Sequence, residues 1–227
     1  MKRKHIFYIV SLIALLLLLG SSVEFRSLEA KRAEDRAEQF DPAQYARDFW
    51  DRRLDSVLPN ALDAELLINL FNRDMAAAVS RGRTLGQSRV HAYLLKGKGT
   101  IVSQGSSGLH VSVADPESNP EVLISTGVYI SGNAVRDASG LIDVSAFSDT
   151  MKFNRISSEI NKIVVQEVIE PFQDEGPAVG ASVRFVGAAE VAEEATQEIP
   201  FGGRRDSDAS TPAYHLLKVV PIRLDLE

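Results

Sequence analysis

The feature that most constrains this chain is its first segment. Met1-Lys-Arg-Lys-His places three formal positive charges ahead of an almost unbroken apolar run from Ile6 to Leu19, and no charged side chain follows until Glu24. A buried core helix has no use for that charge asymmetry, whereas a segment handed to a membrane does: basic flanks stay on the cytoplasmic side. The expectation is therefore an export segment, N-in and C-out, with everything after Val23 on the far side of the cytoplasmic membrane. Two fates remain open for it. The 14 strongly apolar residues suit a removable signal with Gly20-Ser21-Ser22 near the cut, and the 18 uncharged residues from Ile6 to Val23 just suffice to span a bilayer as a single-pass anchor.

From Glu24 to Glu38, nine of fifteen residues are charged with both signs interleaved, which reads as a solvated helical stalk over 24–39. The remainder, 40–227, is long enough for one extracytoplasmic domain with its own core. Asp41-Pro42-Ala43-Gln44 is a helix start: an acceptor at the N-cap, then proline at the first helical position. Tyr45, Phe49, Trp50, Leu54 and Val57 follow at helical spacing to Pro59, and a second helix is expected from Ala64 through Val79 to Gly82. The part 40–82 is thus helical.

After Gly86 the period drops to two and β-branched residues appear: Val90 to Leu95, Thr100 to Val102, Leu109 to Val113, Glu121 to Ser125. Gly105-Ser-Ser-Gly108 and Asp115 to Pro120 are expected turns. A helix then interrupts, with Ile156, Ile160, Ile163, Val164, Val168 and Phe172 on one face against the sheet, Asn154 as N-cap and Pro171 as terminator. Ala181 to Val186 and Tyr214 to Val220 return as strands, with a polar loop from Pro200 to Pro212 between them. Helices, then a meander, one helix and two strands make an α+β fold, and short strands with a late inserted helix suggest a small antiparallel β-barrel resembling the oligonucleotide/oligosaccharide-binding (OB) shape.

The formal charge is −6, from 25 Lys and Arg against 31 Asp and Glu, with no long basic stripe, so nucleic acid is not an expected partner. With no cysteine, disulfides, thiolate metal sites and thiol nucleophiles are excluded. Lys96-Gly97-Lys98-Gly99-Thr100 lacks the first glycine and the hydroxyl of a phosphate loop, and its glycines are read as places where a strand bends or bulges. His91, His110 and His215 stand alone in strand-like runs, Asp206-Ser-Asp208 lacks the rest of a calcium loop, and no Gly-x-Ser-x-Gly or Ser-x-x-Lys occurs. No catalytic residue, metal or cofactor is expected. Ser125 to Val144 is the stretch to which a ligand site is assigned: Gly132, Arg136 and Asp137 would put a cation and an anion at a corner of the sheet, either to hold a polar ligand or to satisfy one another in the interior.

Phe40-Asp41-Pro42 with Tyr45 and Trp50, Val57-Leu-Pro59, Lys96-Gly97-Lys98-Gly99, Gly132, Ala134, Arg136-Asp137-Ala138, Gly140, Phe147, Asn161 and Val183-Arg-Phe-Val-Gly187 together resemble the predicted periplasmic lipoproteins of domain-of-unknown-function family 2291. The resemblance implies an extracytoplasmic location and frequent encoding beside sugar ABC-transport components, and it implies no activity; Asn161 is taken with Gly132, Arg136 and Asp137 as a candidate ligand-binding residue. Members of that family usually carry a lipidated cysteine, which this chain lacks. Val128, Ser131 and Asp149 also depart from the family pattern. The expected function is a membrane-tethered accessory or ligand-binding protein whose partners are the membrane, sugar-transport components or a small polar ligand. The alternatives are an envelope glycan hydrolase with paired carboxylates or a purely structural scaffold.

Overall fold

The computed structural model describes residues 40–114, 120–147, 149–193 and 216–227. The export segment 1–23, the stalk 24–39, Asp206, Asp208, His215 and the polar loop 200–212 lie outside the described residues. Among those described, no helix is long and apolar enough to cross a membrane.

The first helix, α1 (Pro42–Arg52), begins where the sequence places it, with the Asp41 carboxylate accepting from the backbone N–H groups of Ala43 and Gln44. It stops at Arg52, earlier than its apolar spacing suggests, and two 3₁₀ turns, Leu54–Ser56 and Leu58–Asn60, carry the chain past Pro59. The expected second helix is two: α2 (Ala64–Arg73) and α3 (Met75–Arg81), divided at Asp74, whose extended backbone ends one helix while its side chain caps Ala77 N–H of the next. An aspartate that offers the backbone a local acceptor favours a cap over a helix interior.

Strand β2 (Val90–Gly105) runs unbroken through the two short strands expected there. It pairs antiparallel with β5 (Ser182–Ala192) from Val90↔Ala192 to Thr100↔Ser182, and with β3 (Gly108–Ser112) from Thr100↔Ser112 to Gly105↔Gly108. β3 pairs antiparallel with β4 (Val122–Ser125), β4 lies parallel to β6 (Leu217–Leu226), and β6 pairs antiparallel with β5. The pairings therefore return to the strand at which they began, and a two-residue strand β1 (Leu62–Asp63) lies parallel to β2 outside that circuit. Tyr93, Leu95, Ile101, Val111, Ile124, Phe185 and Val219 fill the core, joined by Leu67 and Phe71 from α2. The protein is mixed α+β.

The remaining helices join β4 to β5. Arg136 and Asp137 do not stand at a corner of the sheet: they lie on a short helix, α4 (Ala134–Ser139), closed by Gly140 at φ 63°. Helix α5 (Thr150–Val164) starts one turn before Asn154, because Asp149 caps it by accepting from Met151 N–H at 2.7 Å. It buries Phe153, Ile156 and Ile160, and its most extensive partner is α1 rather than a strand. Pro171 does not end it. The helix widens into a π turn at Val165–Ile169 and resumes as α6 (Glu170–Asp174), with Pro171 in the first turn of α6, where a missing N–H is tolerated.

Gly97 and Gly99 also have a different reason from the one their sequence suggests. The register slips elsewhere, at Ile101/Ser103 on β2 and at Val186/Gly187 on β5. A Cβ on Gly97 would lie 2.6 Å from Cζ of the buried Phe185 ring, and one on Gly99 would be 2.6 Å from Val111 Cγ1 and in collision with the Ser112 carbonyl. These glycines admit neighbouring strands at close range. Gly99→Ala is expected to lower stability by about 1 to 3 kcal/mol through overpacking. Gly105→Ala, with nothing within 4 Å of its added Cβ, is expected to be near neutral. Chemical denaturation of the two variants checks this.

Candidate functional site

The segment from Thr126 to Asn133, between β4 and α4, faces the helical wall made by α5, the π turn and α6. Between them lies a cavity of about 480 Å³. Val128, Tyr129 and Ile130 give it an apolar side; Asn154, Ser157, Asn161 and Gln166 give it amides and a hydroxyl, and Lys162 and Glu170 stand at the wall. Helical spacing explains the wall: 154, 157, 158, 161, 162 and 165 follow one stripe at intervals of three and four. The π turn adds one residue to its coil, and such turns recur at functional sites.

Two features distinguish this lining from ordinary surface. Ser157, 4% exposed, lines the cavity, and its Oγ is buried with no hydrogen-bond partner. Buried polar atoms are nearly always partnered. On the opposite side, Val128 is 91% and Tyr129 81% exposed, so a large apolar surface and an aromatic ring stand in solvent at the rim.

Of the four residues singled out from sequence, Gly132 and Asn161 come together here. Both line the cavity, and Asn161 Nδ2 donates to the Gly132 carbonyl at 3.0 Å, tying the segment to α5. Gly132 holds φ at 96°, a conformation glycine adopts without strain. Arg136 and Asp137 do not line it. Arg136 is 2% exposed, and four hydrogen bonds from its guanidinium go to acceptors within the protein. Nε and Nη2 donate to the two oxygens of Asp137 at 2.6 and 3.2 Å, Nη1 donates to Phe153 O and Asn154 Oδ1 at 3.3 Å each, and the guanidinium carbon sits 3.7 Å above the Phe153 ring. The pair reaches the cavity only through Asn154, whose Oδ1 it occupies, leaving the Asn154 amide N–H₂ as the donor group of that side chain.

Glu190 on β5 was not legible as part of this region. Its Oε2 accepts from Asn133 N–H at 3.3 Å and would lie 2.9 Å from a Cβ on Gly132, so it props the segment from beneath. Burial raises its carboxyl above the ordinary range; the Asn133 bond opposes this, Asp137 reinforces it and Arg136 opposes it. Residue 190 lies 57 positions from its partner Asn133, and only the fold joins them. Elsewhere His91 Nε2 meets Glu193 Oε1 at 2.8 Å in a partly buried pair, and among the described residues no group of His, Asp and Glu is arranged to hold a metal.

The sequence model of the family described as predicted periplasmic lipoprotein (DUF2291) matches residues 12–201. Among solved structures, the chain is similar to an OB-fold protein of Thermotoga maritima, at 25% identity and a TM-score of 0.66, over 84% of this chain and 100% of that one. No curated protein matches.

Two outcomes are expected from the charge network. Arg136→Ala leaves the Asp137 carboxylate without its bidentate partner and should cost about 3 to 5 kcal/mol by chemical denaturation. Glu190→Gln keeps an acceptor for Asn133 and removes a carboxylate whose proton the folded state holds more tightly than the unfolded chain. Such a group costs the wild type stability as pH rises through and above the ordinary carboxylate range. The variant should therefore melt higher at pH 7, with the advantage fading as pH falls through that range. A constant difference across pH would contradict the sign of the Glu190 shift.

Proposed function

The chain belongs to the predicted periplasmic lipoprotein family, which sets it at the cell envelope, and we propose that it is a non-catalytic binding module tethered to the outer face of the cytoplasmic membrane. The N-terminal segment 1–23 is its tether, a single pass left in the bilayer, since a chain without cysteine has no thiol to carry a lipid. The circuit of strands is a small closed barrel of OB type, and the cavity beside it, between Val128–Asn133 and α5, is the ligand site. The ligand is a small polar, neutral molecule such as a sugar, held in the service of an ABC-type uptake system.

The observation that carries this reading is the unpartnered Ser157 Oγ beside a cavity whose polar lining includes the amides of Asn154, Asn161 and Gln166. A buried hydroxyl without a partner is a cost to the folded protein, and rotation of the Ser157 side chain toward the cavity would let a ligand hydroxyl remove it. Amide and hydroxyl side chains supply donors and acceptors in the mixture that vicinal hydroxyls require, and the exposed Tyr129 ring offers a face on which a sugar ring packs. Glu170 is the single carboxylate among the described lining residues. A two-carboxylate glycosidase places its acids about 5 to 10 Å apart across the scissile bond, so this lining favours binding over hydrolysis.

A thermal-shift screen of neutral sugars on the full chain in uncharged detergent tests the reading, with Ser157→Ala as the diagnostic variant. The expected result is a saturable shift in the wild type, lost in Ser157→Ala, while the unliganded variant melts at or slightly above the wild-type temperature. A ligand whose shift survives in Ser157→Ala binds somewhere else, and a lower melting temperature for the unliganded variant would mean that Ser157 is structural.

A further inference from the structure

On another part of the molecule, a second and smaller cavity of about 160 Å³ lies between the Val57–Leu62 segment, the end of α3, β2 and the end of α4. Leu62 and Leu94 are among its apolar lining residues, and its polar lining is Asn60, Arg81, Arg83 and Ser139. No carboxylate belongs to it among the described residues. That composition is unusual for this protein. Arg47, Arg52, Arg136, Arg184 and Arg223 each meet a carboxylate, and Arg53 donates to the Leu141 carbonyl. Arg81 and Arg83, like the exposed Arg73 and Arg155, have neither kind of partner among the described residues, and what sets them apart is that both line one cavity.

Their backbone is pinned, so the convergence is built into the fold. Arg83 exchanges both backbone hydrogen bonds with Ala92 at 2.8 Å each. Gly82 between the two arginines is packed so closely that a Cβ would fall 2.7 Å from His91 Cβ and 2.8 Å from Tyr93 Cζ. The Arg83 guanidinium rests on Gly140, where a Cβ would come within 2.7 Å of its central carbon. Gly140 therefore serves twice: its positive φ closes α4, and its missing side chain leaves a bed for the guanidinium.

We infer that this cavity is an oxyanion site that takes a phosphate group between Arg81 and Arg83. Two guanidinium forks offer paired donors that match a tetrahedral oxyanion's edges, which is why arginine recurs where phosphate is held. The volume excludes larger guests: organic ligands of drug size need about 300 Å³ or more. Ser139 contributes shape rather than a donor, since its hydroxyl already donates to Arg136 O at 2.7 Å. The phosphate comes either from free inorganic phosphate or from a glycerol phosphate headgroup, and the two share this chemistry.

The test is calorimetric titration and thermal melting of the full chain in uncharged detergent, with sodium phosphate or sn-glycerol 3-phosphate added at constant ionic strength against sodium chloride. Saturable binding of at least one phosphate compound is expected, weakened at least tenfold by Arg81→Gln and by Arg83→Gln. Arg155→Gln, which changes an arginine outside the cavity, should leave it unaltered. The compound that binds more tightly identifies the source. Because both arginines are solvent-exposed, the Arg81→Gln/Arg83→Gln double variant is expected to retain a cooperative melt. If phosphate gives no response beyond chloride, or the double variant keeps the wild-type affinity, the assignment is overturned.

Discussion

The eleven-residue ladder between β2 and β5 is the interaction on which the rest of the structure depends. It joins residues about ninety positions apart and supplies the two strands from which the circuit continues, to β3 from the end of β2 and to β6 from the other edge of β5. Its packing is close because Gly97 and Gly99 carry no side chain: Phe185 enters over the first and the Ser112 carbonyl passes the second. Close-packed interiors respond to a single added carbon. A motif that resembles the beginning of a phosphate loop is in fact a device for strand packing, while the arginines that converge on an oxyanion-sized cavity belong to no recognisable motif.

The helical wall gains its shape from a second long-range constraint. Arg136 binds Asp137 beside it and reaches over to Phe153 and Asn154, so that α4 is fixed against α5. The Phe153 ring lies between that guanidinium and Phe147, whose ring is 5.6 Å away and in turn 5.7 Å from Tyr45 of α1. This chain of contacts holds α1, α4 and α5 together, and it accounts for a buried arginine without a ligand. The cavity beside it inherits one oriented amide, Asn154, and one tether, the Asn161 bond to Gly132.

The two cavities differ in chemistry as they differ in place. The larger is lined by amides, hydroxyls and exposed apolar rim residues, with one cation, Lys162, and one anion, Glu170, at its wall. The smaller has two cations and no carboxylate among its described lining residues, which suits an anion. Family membership locates the protein at the envelope without assigning an activity, and similarity to an OB-fold protein describes the frame rather than the guest, because one fold hosts many functions.

Local chemistry was readable from the sequence. The Asp41-Pro42 helix start, the change from a period near four to a period of two after Gly86, the apolar stripe of α5 and the family pattern all rest on residues within a few positions of one another, so neighbours decide them. Boundaries failed where a nearby polar side chain intervened, as at Asp74 and Asp149, each of which caps a helix at a place that apolar periodicity alone cannot mark. What only the tertiary structure decided were relations across long stretches of chain. Glu190 lies under Asn133, Arg83 rests on Gly140, and Ser157 Oγ is buried without a partner. Arg136 turns inward onto Asp137, Phe153 and Asn154. In each case the residue type is compatible with several roles, and which role it takes depends on what a distant segment brings against it; that is set by packing, and sequence spacing carries no record of it.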